Sequence, residues 1–329
     1  MTFEILKEVR WGIIGCGNVT EVKSGPAFNK IPGSSLVAVM RRDAQKAADY
    51  ARRHNVPRWY SDADQLINDP EVNAIYIATP PSSHKEYTVA AAIAGKAVYV
   101  EKPMAHNAKD CLQMREACIE NNVPLFVAYY RRAQPRFLKI KSLLDSGAIG
   151  EPRAVTITLF RRPVESDIAP DNWRVQPEIA GGGYFVDLAS HTIDLLQFLL
   201  GDIRWVSGIS GRQMGRYPAE DAVCAAFCIG KNVQATGIWN FNTFTEVDRN
   251  EIVGSNGKIT FATFLDQPVI LETNDGVQRF EIPQPQHVQQ PLIETIVAEL
   301  MGKGKCPSTG ETAENTNSVM EIILKSVKK

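Results

Sequence analysis

Two separate segments of the sequence carry side chains that could move a proton. In the first, Lys102 lies between Glu101 and a proline, which favours extended backbone at the lysine. In the second, Asp187, His191 and Asp194 recur at intervals of four and three residues, which places them on one face of a helix. Histidine can act as a general base near neutral pH, and lysine can stabilise an oxygen that loses its proton. A solvated lysine and a surface Asp–His contact are the alternative interpretation.

A glycine turn lies near the start of the chain. Gly15, Gly17, Asn18 and Val19 match the beginning of the Gly-x-Gly-x-x-Gly pattern, although Thr20 occupies the third glycine position. The first glycine permits a tight turn, and the second lets backbone approach a pyrophosphate at the start of a helix. The pattern predicts a dinucleotide site, with a glycine turn that binds no ligand as the alternative.

The residues after the second apolar run bear on which dinucleotide binds. Arg41 and Arg42 stand where an NAD-binding fold usually has an acidic residue, and two guanidinium groups suit the 2′-phosphate of NADP. Asp43 could instead accept hydrogen bonds from the ribose. We therefore expect NADP or NAD as cofactor, with NADP favoured.

Short apolar runs alternate with amphipathic segments over residues 10–128. The runs are Trp11–Ile14, Leu36–Met40, Ala74–Ala78, Ala97–Val100 and Leu125–Ala128. Runs that are apolar throughout are typical of parallel strands covered on both faces. The pattern predicts an α/β fold that begins with a Rossmann domain, a doubly wound parallel sheet. Ligands bind at the carboxyl ends of such strands, where Thr79, Pro80, His84 and Glu101 are expected to contact the cofactor.

The rest of the chain has a different pattern. Helices are predicted over Arg136–Ser146, Tyr184–Leu200, Pro291–Met301 and Thr312–Val327. From Trp205 to Phe280, strand candidates follow one another with turns at Gly230-Lys231-Asn232, Ser255-Asn256-Gly257 and Asn274-Asp275-Gly276. We expect an α+β domain with a large, open, mostly antiparallel sheet. The predicted domains are 1–127 for dinucleotide binding and 128–329 for substrate binding and oligomerisation, and the last helix could pack on the first domain.

The expected sheet has too few helices to cover both of its faces. An apolar face left in water favours a partner subunit, so we expect a homodimer or homotetramer through the open sheet face. Cys224 and Cys228 lie in one of these strands and are predicted to be small buried hydrophobes.

Composition excludes several classes of function. Lys and Arg number 36 and Asp and Glu 37, so the chain has no field that would attract nucleic acid or an anionic membrane. The first ten residues lack the apolar segment of a signal peptide, and the six cysteines form no Cys-x-x-Cys pair. The five histidines show no spacing typical of metal ligands. We expect a cytoplasmic protein without nucleic-acid, membrane or metal partners.

Three motifs together resemble one family. Gly15-Cys16-Gly17-Asn18, Glu101-Lys102-Pro103 and Ala180-Gly181-Gly182-Gly183 with the downstream Asp187 and His191 look like the Gfo/Idh/MocA family, the relatives of glucose–fructose oxidoreductase and inositol dehydrogenase. The resemblance runs from about residue 9 to the last helix, and Ala189 departs from it where a glycine is common.

The resemblance implies an NAD(P)-dependent oxidoreductase. It would transfer a hydride between the nicotinamide and a secondary alcohol or carbonyl of a sugar, a polyol or a sugar derivative. Lys102, Asp187 and His191 would be catalytic, and Trp173 with Arg174 would contact the cofactor or substrate. Tyr129, Arg131 and Asp194 are the expected substrate contacts.

Two rival functions use the same fold. A non-catalytic sensor or regulator would be expected to lack Lys102 or His191, and this chain has both. A glycosidase that uses tightly held NAD for a transient oxidation would release no free reduced cofactor.

Overall fold

The computed structural model describes residues 3–326, which form two compact units. The first unit combines the chain up to Gln134 with Pro285–Glu314, and the second combines Pro135–Gln284 with the residues that follow Glu314. The predicted helix end at Val327 and the outer limits of the predicted domains, 1 and 329, lie outside the described residues.

The first unit contains a parallel sheet with helices on both sides. Its strands are β1 (Val9–Ile14), β2 (Ser34–Met40), β3 (Arg58–Tyr60), β4 (Ala74–Ile77), β5 (Ala97–Val100) and β6 (Leu125–Val127). Its helices up to β6 are α1 (Asn18–Val22), α2 (Gly25–Phe28), α3 (Ala44–Arg53), α4 (Ala63–Ile67), α5 (His84–Ile93) and α6 (Ala108–Glu120). The strand order is β3-β2-β1-β4-β5-β6 and every pair is parallel, which confirms the predicted doubly wound sheet.

Apolar strands make two cores, one on each face of this sheet. One core contains Trp11 and Tyr99, and the other contains Ile14 and Val98. Side chains of neighbouring positions point to opposite faces of a strand, so a run that is apolar throughout supplies both cores. This arrangement brings the carboxyl ends of β1, β4 and β5 to one edge of the sheet.

The second unit contains an eight-stranded sheet. Helix α7 (Pro135–Asp145) precedes the strands, and α8 (Pro177–Ala180) and α9 (Ser190–Leu200) lie between the first and second strands in sequence. The strands are β7 (Pro152–Phe160), β8 (Ile203–Gly211), β9 (Ala222–Ile229), β10 (Val233–Asn240), β11 (Val247–Gly254), β12 (Gly257–Phe261), β13 (Val269–Thr273) and β14 (Gly276–Phe280). The order is β14-β13-β12-β11-β7-β10-β9-β8, and of these pairs β7 with β10 is parallel while the others are antiparallel. The predicted turns at 230–232, 255–257 and 274–276 lie where the expected hairpins form.

Two helices near the end of the chain follow the sheet. Leu292 and Ile296 of α10 (Gln290–Leu300) join the core of the first unit that contains Trp11. Val319 and Ile323 of α11 (Gly310–Lys325) join the core of the second unit. No helix within residues 3–326 combines the length and the apolar character that crossing a membrane requires.

The eight-stranded sheet has one buried and one exposed face. Phe137 of α7 and Ile193 of α9 pack in the core on the buried face. Alternation along β9 directs Val223 and Ala225 inward and leaves Cys224 exposed and Cys228 partly exposed. The expectation that both cysteines are buried was therefore wrong, because they belong to the outer face.

Candidate active site

The glycine turn joins β1 to α1. Gly15 has a φ of 91°, which disfavours any other residue, and a Cβ there would lie 2.8 Å from Cγ2 of Thr79. A Cβ on Gly17 would meet nothing nearer than an oxygen of Gly15 at 3.8 Å, so the space above this residue is open. The turn therefore packs tightly against the segment after β4 and leaves room for a phosphate group at Gly17.

Thr20 closes the turn from within. Its hydroxyl accepts a hydrogen bond from the Gly17 N–H at 3.1 Å and donates to the Gly17 carbonyl oxygen at 2.8 Å. The threonine side chain thus holds the turn with two hydrogen bonds that a glycine at this position could not make. Asn18 and Val19 begin the helix at this point, and the geometry fits a dinucleotide pyrophosphate.

Arg41 lies beside the glycine turn. Its Nη1 donates to the Cys16 carbonyl oxygen at 3.3 Å, and Arg42 next to it is exposed. Asp43 caps α3 by accepting from the Lys46 N–H at 3.1 Å, and this bond is the main reason that the pKa of Asp43 is lowered. The Asp43 carboxylate is thus engaged with the helix, while Arg41 lies against the turn and Arg42 is exposed beside it.

His84 connects the segments that follow β4 and β5. The ring is fully buried, with Nε2 at 2.8 Å from the Thr79 carbonyl oxygen and Nδ1 at 3.1 Å from that of Pro103. Burial lowers the pKa of His84, and in the neutral ring one of its two nitrogens donates at a time. Pro80 lies in the same segment as Thr79, whose hydroxyl accepts from Ser83 at 2.8 Å.

Glu101 and Lys102 follow β5 directly, and the Lys102–Pro103 peptide bond is cis. Glu101 is 8% exposed, and one of its oxygens accepts from the Tyr76 hydroxyl and from the Gln289 amide, each at 2.6 Å. Its other oxygen accepts from the Lys102 N–H at 3.2 Å. The carboxylate is therefore held by three donors beside the candidate catalytic lysine.

Two predicted substrate residues follow β6. Tyr129 is buried, and Arg131 is buried with its guanidinium carbon 5.0 Å from the centre of the Tyr130 ring. Both belong to the first unit, as do Lys102 and the glycine turn.

The second unit brings together three residues predicted for the site. Asp187 forms an ion pair with Arg174, whose Nε lies 3.4 Å from Oδ2 of the aspartate. The Arg174 guanidinium also lies 4.6 Å from the centre of the Trp173 ring. No spacing rule links residues 173–174 to residue 187, so the sequence offered no sign of this pair.

His191 and Asp194 lie on α9 and are nearly buried. His191 is 4% exposed, and its ring is 6.1 Å from that of Phe264. Asp194 accepts from the Thr316 hydroxyl at 3.4 Å. The predicted helix Tyr184–Leu200 is present, and its first part, Phe185–Ala189, winds as a π-helix. Asp187 lies in this wider turn, a feature that is frequent at functional sites.

The three consecutive glycines pack against the protein itself. A Cβ on Gly183 would lie 2.7 Å from the Glu220 carbonyl oxygen, and the Gly183 N–H donates to the Glu220 carboxylate at 2.7 Å. A Cβ on Gly182 would lie even closer to Cγ2 of Val186, and Gly181 ends α8 with a φ of 82°. Sequence reasoning missed Glu220, because nothing in its own neighbourhood points to the glycines.

A buried ion pair anchors the segment that carries Trp173 and Arg174. Asp167 accepts from Arg161 and from the Tyr184 hydroxyl, each at 2.7 Å. Backbone and side-chain donors outweigh burial and lower the pKa of Asp167. Within residues 3–326, no group of three or more His, Cys, Asp or Glu side chains could hold a metal ion.

The parallel sheet and most strands of the second sheet lie in segments that match models of one oxidoreductase family. Residues 9–129 match the oxidoreductase family with an NAD-binding Rossmann fold, and residues 137–260 match the GFO/IDH/MocA C-terminal domain. The chain belongs to the Gfo/Idh/MocA family of oxidoreductases, as its motifs predicted.

Relatives cover nearly the whole chain. It is 41% identical to an oxidoreductase from Formosa agariphila over 95% of this chain and 98% of the relative. It is 30% identical to the inositol 2-dehydrogenase of Acidothermus cellulolyticus over 89% and 83% of the two chains. The fold matches a solved structure of levoglucosan dehydrogenase in complex with NADH, with a TM-score of 0.88, 22% identity, and coverage of 97% and 96% of the two chains.

Proposed function

We propose that this oxidoreductase transfers a hydride between NAD(P) and a secondary alcohol or carbonyl of a sugar, polyol or sugar derivative. Relatives named for inositol and levoglucosan support this class of substrate. The observation that carries the proposal is the presence of Lys102 at the carboxyl end of β5 and a nearly buried His191 on α9, in a chain that matches the family in both units.

The proposed roles follow from the residue types. The nicotinamide, when bound, supplies the hydride acceptor or donor. An imidazole nitrogen of His191 takes the hydroxyl proton of the substrate during oxidation and returns it during reduction. The Nζ of Lys102 donates to the same oxygen and stabilises its negative charge. Asp187 binds a neighbouring hydroxyl or orients the imidazole, and Tyr129, Arg131 and Asp194 contribute to the substrate side of the site.

We further propose that NADP is favoured over NAD. Arg41 lies against the glycine turn, Arg42 is exposed beside it, and Asp43 is engaged in capping α3. Gly15, Gly17, Asn18 and Val19 would hold the pyrophosphate. Thr79, Pro80, His84, Glu101, Trp173 and Arg174 are the further residues proposed to line the cofactor site, His84 by fixing the segments around it.

The outer face of the second sheet supports a homodimer or homotetramer. Trp205 is 57% exposed on β8, and Ile209 lies level with Cys224 and Ile238 on the neighbouring strands. Contiguous exposed apolar side chains of this kind mark interaction surfaces. We also propose a cytoplasmic location, which the six free cysteines support.

The test begins with a substrate screen. Polyols, aldoses and sugar phosphates are offered with NADP and with NAD, and turnover is followed by the absorbance of the reduced nicotinamide. Accumulation of free reduced cofactor is expected, and it also separates a dehydrogenase from a glycosidase that oxidises its substrate only transiently.

Variants then test the assigned residues. Lys102→Met and His191→Asn should each lower kcat by about 10²–10⁴, and the double variant should lose little more than the worse single one. His54→Asn is the matched control, because His54 is only partly buried and pairs with Glu21 rather than with a residue proposed to be catalytic. Near-normal kcat in both Lys102→Met and His191→Asn would show that the assignment is wrong.

A further inference from the structure

A short segment late in the chain crosses the first unit beside the candidate site. This strap, His287–Gln289, is buried at both ends. His287 lies 2.6 Å from the Val22 carbonyl oxygen through Nδ1 and 2.7 Å from the Lys30 Nζ through Nε2. The Gln289 N–H donates to the Lys23 carbonyl oxygen at 3.1 Å. The strap is thus fixed to the end of the helix that begins at the glycine turn.

The side chain of Gln289 reaches from the strap to Glu101. Its Oε1 accepts from the Tyr99 hydroxyl at 2.7 Å, which leaves its Nε2 to donate to Oε1 of Glu101 at 2.6 Å. The Tyr76 hydroxyl donates to the same carboxylate oxygen at 2.6 Å. Burial raises the pKa of both tyrosines well above the ordinary value, so their hydroxyls stay protonated donors.

Three hydrogen bonds hold the carboxylate of Glu101. Two donors converge on one carboxylate oxygen, and the Lys102 N–H donates to the other at 3.2 Å. The carboxylate is therefore held at both of its oxygens, and Gln289 supplies one of the two donors on the first. The titratable groups that face this carboxylate are Tyr76 on β4, Tyr99 on β5, the adjoining Lys102 and the buried His84 of α5.

We propose that Gln289 is a positioning residue for Lys102, acting through Glu101. The chain of contacts runs from the strap to the carboxylate and from the carboxylate to the backbone N–H of the lysine. Hydrogen bonds to a charged group are among the strong ones, and a buried carboxylate that loses a donor must shift towards its remaining partners. Gln289 therefore holds the position of Glu101 and, through it, the backbone from which Lys102 extends. The catalytic part of this inference rests on the proposed function, whereas the link to the Lys102 amide does not.

The experiment compares Gln289→Met and Gln289→Glu with the wild-type protein. Gln290→Met is the matched control, because the neighbouring amide contacts Glu294 on the surface. Hydrogen exchange by mass spectrometry of the peptide that contains Lys102 requires no substrate. Gln289→Met should accelerate exchange at the Lys102 amide at least several-fold, since the carboxylate that accepts from it is no longer fixed, and Gln290→Met should leave the rate unchanged.

Turnover and its pH dependence give the second readout. Gln289→Met should lower kcat about ten-fold with KM for the cofactor nearly unchanged, and by a similar factor at every pH. In Gln289→Glu the introduced carboxyl can replace the lost donor only when protonated. Its kcat relative to wild type should therefore rise as the pH falls, whereas that of Gln289→Met should not.

The outcomes separate this inference from the proposed function. A wild-type protein without turnover on any substrate contradicts the proposed function, while exchange at the Lys102 amide still tests the link from Gln289. Unchanged exchange in Gln289→Met overturns the inference. So does accelerated exchange with wild-type kcat and pH profile, because Gln289 would then contribute to the fold without positioning the lysine.

Discussion

Gly183→Ala tests why the chain has three consecutive glycines before the candidate catalytic residues. The added Cβ would lie 2.7 Å from the Glu220 carbonyl oxygen and 2.8 Å from the Cβ of Ala219, both too close for a real contact. The backbone must move, and this also strains the 2.7 Å bond from the Gly183 N–H to the Glu220 carboxylate. Overpacking of this kind costs about 1–3 kcal/mol, and a domain of this size loses roughly 2–4 °C in Tm per kcal/mol.

The assay is thermal unfolding together with kcat and KM. Gly211→Ala is the matched control, because a Cβ there would meet nothing within 4 Å and the residue has no positive φ. We expect a Tm lower by roughly 4–8 °C for Gly183→Ala, taking about 2 kcal/mol, and a change within about 1 °C for Gly211→Ala. A fall in kcat should accompany the loss, since Asp187 follows in the next turn. Unchanged Tm with a large rise in KM would refute the reasoning and place a ligand against Gly183.

Three further predictions concern the cofactor, assembly and pH. Arg41→Ala should weaken NADP at least ten-fold more than NAD, measured by fluorescence titration; equal dissociation constants for the two cofactors in the wild-type protein would contradict the preference. Trp205→Arg should shift the protein towards its 36.4 kDa protomer in light scattering, and a wild-type protein that is already monomeric at micromolar concentration would refute the interface. Burial lowers the pKa of His84, so its contribution to stability is present above about pH 6.5 and is lost as the pH falls through the lowered value. His84→Gln should therefore show a smaller decrease in stability from pH 7 to 5 in chemical denaturation, and an equal decrease would count against this role.

The parallel sheet was predictable because its evidence is local. Strands such as β5, Ala97–Val100, are apolar at every position, and burial on both faces is the arrangement that such a run permits. Strand β3 was missed because it has no such apolar run. Arg58, Trp59 and Tyr60 form a short edge strand that stays partly exposed, so no apolar run marks it. The π-helical turn at Phe185–Ala189 was also missed, because the apolar pattern around it suits an ordinary α-helix.

The sequence predicted the reacting groups of the candidate site better than it predicted the residues that hold those groups in place. Lys102 and His191 have side chains whose chemistry identifies them, and each lies in a motif with fixed spacing. Gln289 and Glu220 are ordinary residues in their own segments, and their importance depends on tertiary contacts with Glu101 and Gly183. Such contacts between residues remote in sequence leave no periodicity or motif to detect.

Glu101 and Asp187, two acidic residues predicted for the site, are held in different ways, and this difference bears on their proposed roles. Glu101 is buried among three donors, and removing one of them would cost a hydrogen bond to a buried carboxylate. Asp187 pairs with Arg174, whose side chain is 47% exposed, and an ion pair this open contributes at most about 1 kcal/mol. Replacing Arg174 by a ligand hydroxyl at Asp187 would therefore cost little, whereas the side-chain donors to Glu101 are buried with it. Glu101 is suited to a fixed supporting position, and Asp187 is suited to exchange its partner for a substrate.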